Sequence, residues 1–350
     1  MLFKDVTNSE EAFLHFMNNC TFKFYIAGNN GVTIIAKLND NIQSHYKYIN
    51  SYNFNKDVDK LLLKLVLINK DKNNDDDDDD TTNCSNSNKE FKLDDKSSLD
   101  FASKEEFMHE VNTHIDIYLK TMQYLQPICP PICYANIYEY NNKNKLFLHK
   151  ILRNNLSLLG IYINYGKAFD SIGLIAMEFA ENFKQLFNLM PYKNYEIYKN
   201  MSRYLLLRLA IETEYNHSDF HKYNILINQD ENTYFDSLFG YPLLIDFSWA
   251  QKIPLDKLEI IKKYYNEKKY IEALDILYKM KRRDDIDLEE HDIFNWMSKN
   301  VISINKREKI NNEIDNLINL RNTAIENMKK HSTLIPLNDI FKKYMFIGFT

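Results

Sequence analysis

The sequence predicts an α+β chain of two lobes: a small β-rich N-terminal lobe holding one helix, then a larger, mainly helical C-terminal lobe. Three observations carry this expectation. Thr21–Ala27 alternates, a Gly-Asn-Asn-Gly turn returns it as Val32–Leu38, and Leu61–Ile68 is a third apolar run. One capped, amphipathic helix follows from Ser103. From Tyr195 onward the spacing is mostly helical. The corresponding lobes are residues 1–179 and 180–350.

In chain order, Thr21–Ala27 is rich in β-formers, Gly28-Asn-Asn-Gly31 is a hairpin signal, and Val32–Leu38 returns as a second strand. Leu61–Ile68 is a third apolar run. Residues 69–100 are rich in Asn, Ser and Asp around the run Asp75–Asp80, and carry 11 acidic and 4 basic side chains between Asp71 and Asp100. Such a block repels itself and buries nothing, so the expectation is a disordered acidic insert. Ser103-Lys-Glu-Glu106 then caps a helix whose apolar face is Phe107, Val111, Ile115, Tyr118 and Met122, ended by Pro127, Pro130 and Pro131. Ile132–Ile137 and Leu174–Phe179 are further strands, with 141–170 ambiguous between them. Tyr204–Ile211 is a buried helix leading to His217, and Ile225–Asn228 with Leu243–Phe247 is a short hairpin. Long amphipathic helices are expected over Leu255–Met280 and Lys309–Lys330.

Composition narrows the function. The chain has 350 residues, 45% hydrophobic, enough for a sizeable core. Its net charge of −5 is concentrated in the acidic insert, and no basic stripe points to nucleic acid. No apolar run approaches the ~18 residues of a membrane span, and Met-Leu-Phe-Lys-Asp has no signal-peptide core. A cytoplasmic protein is the expectation. Four scattered cysteines suit a reduced compartment; Cys129-Pro-Pro-Ile-Cys133 resembles a metal half-site but has no second Cys/His pair to complete four ligands.

The chemistry-bearing motif is His217-Ser-Asp219-Phe-His-Lys-Tyr-Asn224, followed by Leu-Leu-Ile-Asp246-Phe247-Ser248. Phosphoryl transfer needs a base beside the attacking hydroxyl and oxygen ligands for magnesium. An Asp, an Asn five residues later and an Asp closing an apolar strand supply these. The alternative is an ordinary polar turn with a capping Asp. The pattern resembles the catalytic loop and metal-binding Asp of the protein-kinase-like superfamily.

The resemblance covers roughly residues 20–250 and implies roles for other positions. Asp219 would position the acceptor hydroxyl, and Asn224 and Asp246 would hold Mg2+. Lys64, in Leu-Leu-Leu-Lys-Leu-Val-Leu-Ile, would grip the phosphates of ATP, with Lys60 and Lys70 as rivals. Glu110 would pair with it; they lie 46 residues apart, a normal interval once the insert is subtracted. Gly28 and Gly31 would cover the phosphates, and the backbone of Glu178, Phe179 and Ala180 would meet the adenine edge. The bland alternatives are a strand-edge lysine, a solvated glutamate, a hairpin turn and a generic strand end.

Departures from the family pattern make this an atypical member. Ser218 stands where many kinases carry Arg, His221 where Ser/Thr kinases carry Lys, and Ser248 in place of the Gly of Asp-Phe-Gly. Pro254 follows Asp246 so soon that no long peptide-binding activation segment fits. Asp-x-His is similar to aminoglycoside-phosphotransferase-type kinases, and the whole is similar to kinase-like proteins of large DNA viruses, which would place it in host cytoplasm or virion. The implied function is an ATP- and Mg-dependent phosphotransferase, a divergent Ser/Thr protein kinase or a small-molecule kinase. A pseudokinase scaffold is the other reading.

Overall fold

The computed structural model describes residues 2–3, 9–28, 31–42, 46–47, 58–69, 91–93, 97–99, 102–122, 127–139, 151, 169–180, 183–189, 195–228, 242–280 and 304–331. The chain is mixed α+β, as its pattern predicts, and it divides into two compact units. The described residues within Met1–Val111 and Pro131–Phe179 form the first; Asn112–Pro130 and Ala180–Ile340 hold those of the second.

The first unit is built on a five-stranded antiparallel sheet. Its strands are β2 (Cys20–Gly28), β3 (Gly31–Leu38), β5 (Lys60–Asn69), β8 (Ile132–Glu139) and β9 (Phe169–Glu178), ordered β2-β3-β5-β9-β8. Short strands β1 (Leu2–Phe3) and β4 (Tyr46–Lys47) pair with each other as a separate two-stranded sheet. Central strand β5 is buried on both faces: Leu61, Leu63, Leu65 and Leu67 on one, Val66 and Ile68 on the other. This is why its sequence reads as a continuous apolar run rather than an alternation. Helix α1 (Ser9–Asn18) precedes the sheet and was not expected; Phe13, Phe16 and Met17 are buried, and Phe13 stacks on Tyr134 at 4.1 Å.

Within the span read as an acidic insert, Asn69 still belongs to β5, and β6 (Phe91–Leu93) pairs with β7 (Ser97–Leu99). These segments carry Phe91, Leu93 and Leu99, apolar residues beyond the Asp75–Asp80 run. Residues 70–90, which hold that run, lie outside the described residues, as do the hairpin tip 29–30 and most of 141–170.

Helix α2 (Lys104–Met122) starts at the expected capping box. The Ser103 N–H donates to Glu106 Oε2 at 2.9 Å and the Glu106 N–H to Ser103 Oγ at 3.1 Å. Its buried residues form one inward stripe that includes Phe107, Glu110, Val111, His114, Ile117, Tyr118 and Thr121, with polar groups among them. Its later part belongs to the second unit. There His114 meets the Phe247 ring at 5.0 Å, and the Leu244 N–H donates to Ile128 O at 2.7 Å.

The second unit centres on α3 (Tyr195–Arg208), buried without interruption from Tyr198 to Arg208. It runs into a π-helical turn, Leu209–Thr213, closed by Glu214 at φ 64°. The expected hairpin forms as β12 (Ile225–Asn228) against β13 (Leu243–Leu244), with β10 (Phe183–Gln185) on its other side. Strand β11 (Tyr215–Asn216) pairs with β14 (Gln251–Lys252). The helix expected over Leu255–Met280 is two helices, α4 (Leu255–Asn266) and α5 (Tyr270–Lys279); Lys268, at φ 58°, breaks the run. Helix α6 (Ile304–His331) packs on α3, its Arg321 reaching Glu212 at 2.8 Å and its Asp315 held by Lys268 and Tyr270. Among the described residues, no helix is long and apolar enough to cross a membrane.

In the first unit, β9 passes close under α2. A Cβ on Gly173 would lie 2.4 Å from the Phe107 ring, whose rigid carbons are fully buried. Gly173→Ala is expected to lower stability by about 1–3 kcal/mol, read as a fall in urea midpoint. Adding Phe107→Leu should restore part of the loss; no recovery would place the strain elsewhere.

Candidate active site

In the first unit, the period of two sets Lys64 on the face of β5 that also carries Val66 and Ile68. It lies opposite Thr33 of β3 and Ile175 of β9. Phe107, Glu110 and Val111 share one face of α2 at helical spacing, and that face turns inward. Lys64 Nζ and Glu110 Oε1 are 2.6 Å apart, both side chains about nine-tenths buried. Of the rivals, Lys60 sits at the start of β5 opposite Lys37, and Lys70 lies outside the described residues.

Gly28 and Gly31 are the last register pair of the β2–β3 hairpin, directly before Val32 and Thr33. Glu178 ends β9 opposite Leu61, and its N–H donates to Pro131 O at 3.1 Å. That N–H is therefore engaged by the protein, which narrows the edge expected to read adenine. Ala180, in the second unit, accepts from the Phe183 N–H at 3.2 Å.

In the second unit, the π-helical turn and β11 deliver the chain to His217, fully buried between rings. Phe247 lies 5.2 Å and Phe220 6.1 Å from it. Wide π turns of this kind gather at functional sites because they realign the residues that follow. His217 Nε2 lies 3.1 Å from Ile245 O, the Ile245 N–H donates to Asn224 O at 3.0 Å, and Asn224 Nδ2 donates to Asp219 O at 3.1 Å and Oδ2 at 3.2 Å. Asp219, Asn224 and the chain entering Asp246 are thereby tied into one cluster. Because the Asn224 NH2 faces Asp219, its Oδ1 is the side left to act as a ligand.

Two backbone positions here are unusual. Ser218 has φ 61° and Asp246 φ 64°, the left-handed region that costs a non-glycine residue of order 1 kcal/mol. Such geometry accumulates where a side chain must be aimed. Ser248, in place of glycine, donates its hydroxyl to Asp246 Oδ1 at 2.9 Å.

Burial alone would raise the Asp219 carboxyl; the hydrogen bond and charge of His221, whose Nε2 lies 3.4 Å from Oδ2, outweigh it and hold the group below its ordinary value. Burial pushes His217 below the usual 6.5, against the pull of Asp219 and the Ile245 carbonyl. The cluster can therefore present an ionised carboxylate beside amide and carboxylate oxygens. Among the described residues no three His, Cys, Asp or Glu gather as a metal cage. Cys129 and Cys133 are buried free thiols, and burial pushes both upward.

Sequence reasoning missed Phe187, Tyr223 and the lock that Ser248 places on Asp246. Tyr223 lies inside the loop motif, so its position was a usable signal; Phe187 is brought there only by folding, its N–H donating to Lys222 O at 3.2 Å.

No family model matches the chain, and no curated protein matches it. Among solved structures, the chain is similar to one described as "WaaP in complex with acyl carrier protein". The identity is 9% and the TM-score 0.34, over 84% of this chain and 90% of that one. A likeness this distant assigns no family.

Two outcomes follow from these geometries. Glu110→Gln removes the carboxylate 2.6 Å from the buried Lys64 ammonium and should cost about 3–5 kcal/mol in chemical denaturation, whereas Lys64→Met with Glu110→Leu should cost far less. His217 binds its proton more readily unfolded than folded, so stability is lost as pH falls below about 6.5 toward the folded value. Urea midpoints at about pH 7.5 and about pH 5.5 should show this drop, smaller in His217→Asn.

Proposed function

We propose that this protein is an ATP- and Mg2+-dependent phosphotransferase of atypical kinase-like type. One observation supports this reading above the others: the hydrogen-bonded cluster that joins Asp219, Asn224 and the backbone before Asp246. In this reading Asp219 accepts the proton of the attacking hydroxyl and holds that hydroxyl in line. Asn224 Oδ1 and the Asp246 carboxylate would hold Mg2+, an oxygen donor set suited to a hard cation. Its charge, when bound, neutralises the phosphates during transfer.

Lys64 supplies a fixed ammonium to the phosphates. A buried ammonium among leucines is heavily penalised unless paired, and Glu110, 2.6 Å away, offsets that cost and fixes its direction. Gly28 and Gly31 cover the phosphates, and backbone at Glu178–Ala180 other than the Glu178 N–H receives adenine. The acceptor is a hydroxyl of a protein or a small molecule.

A pseudokinase without turnover is favoured by one observation, the Ser248 hydroxyl on Asp246 Oδ1, which competes for a metal-binding oxygen. ATP turnover with magnesium decides between them. Wild type should turn over; Asp219→Ala and Asp246→Ala should each lose about two or more orders of magnitude in kcat, and Lys64→Met should weaken nucleotide binding in a thermal-shift titration. Magnesium-dependent ATP binding with no turnover against any acceptor would establish the pseudokinase. Wild-type rates in both Asp variants would end the phosphotransferase reading.

A further inference from the structure

We propose that Phe187 and Tyr223 form the acceptor subsite of the phosphotransferase described above, and that the acceptor is a sugar ring. The inference rests on that reading and adds the substrate class to it.

Both rings are large apolar surfaces left 38% exposed. Their centroids are 4.7 Å apart with 34° between the planes. They are braced. The Phe187 N–H donates to Lys222 O at 3.2 Å, and Gln185 Nε2 donates to Tyr223 O at 3.0 Å. The Lys222 ammonium sits 5.0 Å from the Phe187 centroid and 5.6 Å from that of Tyr223. Two aromatics held open to solvent in this way form a platform rather than loose surface side chains.

The platform adjoins the base. The His221 ring lies 5.7 Å from Tyr223, and its Nε2 lies 3.4 Å from Asp219 Oδ2. His221 thus neighbours both the ring pair and the residue proposed to take the hydroxyl proton.

Two considerations select a sugar. First, the chain passes from Asp246 through β14 and Pro254 into α4 at Leu255, with no segment of the length that holds an extended peptide. Secondly, a sugar ring has a C–H face and a hydroxyl rim. Aromatic faces shed water against the C–H face and leave the rim free for Asp219.

The step balances as a simple transfer. The sugar oxygen forms a bond to the γ-phosphorus while the bond to the β,γ-bridging oxygen breaks. ADP leaves with that electron pair, and the hydroxyl proton passes to the Asp219 carboxylate.

The test uses the full chain with magnesium and a non-hydrolysable ATP analogue. Saturation-transfer NMR is recorded with glucose, galactose, mannose and ribose, and nucleotide binding is followed by thermal shift in the same samples. Ring C–H protons of at least one sugar should take up saturation in wild type and in Tyr223→Phe. They should lose it in Tyr223→Ala and Phe187→Ala. In turnover, these alanine variants should raise the sugar KM about tenfold or more with a smaller change in kcat, and Phe187→Tyr should restore it. Nucleotide binding without saturation of any sugar overturns the subsite and leaves the phosphotransferase reading standing. So does phosphorylation of a mixed Ser/Thr peptide pool with all four sugars inert. Sugar binding with no nucleotide binding overturns the phosphotransferase reading and keeps the sugar platform.

Discussion

Much of the second unit depends on a short hydrogen-bonded seam between two loops distant in sequence. His217 Nε2 engages Ile245 O, the Ile245 N–H engages Asn224 O, and the Asn224 amide engages Asp219. Each contact is ordinary, worth about 1 kcal/mol on its own. Together they determine where two carboxylates and an amide oxygen lie. They also offset the cost of left-handed backbone at Ser218 and Asp246, which a free loop would relax. Phe247, fully buried between His114 and His217, keeps water from competing with the seam.

The first unit solves a different problem, holding a charge inside an apolar sheet. Strand β5 is central, with β3 and β9 on its flanks, so Lys64 cannot swing outward as an edge lysine does. Glu110 reaches it because the capping box fixes where α2 begins and therefore which turn faces the sheet. A buried ion pair adds little net stability compared with leucines of the same volume. Its presence is better understood as placement of an ammonium, which the proposed nucleotide would use.

The helical part of the second unit supplies stiffness. Helix α3 is buried along most of its length, and α6 fastens to it and to the turns around it through Arg321–Glu212 and Asp315 with Lys268 and Tyr270. Stiffness of this kind allows a loop to carry strained residues and exposed aromatics in one arrangement. His221 of that loop lies 3.4 Å from the Asp219 carboxylate and 5.7 Å from the Tyr223 ring, which Phe187 meets from a separate turn.

The sequence by itself determined the order and type of the main elements, because local forces set them. Alternation in Thr21–Ala27, the Gly28–Gly31 turn signal and the apolar run Leu61–Ile68 specified β2, β3 and β5, and Ser103 with Glu106 specified the start of α2. It also pointed to the residues proposed to carry chemistry, since His217, Asp219, Asn224 and Asp246 lie at intervals a loop and a strand end can use. Tertiary structure alone decided three things. It enclosed Lys64, already the lysine favoured from sequence, and set Glu110 against it, which depends on the register of β5 and the packing of α2. It divided Leu255–Met280 into two helices, since an amphipathic period continues through a break that left-handed Lys268 makes. It brought Phe187 beside Tyr223 and the Ser248 hydroxyl onto Asp246. Periodicity and propensity describe neighbours along the chain; contacts between distant segments depend on packing, which no local pattern encodes.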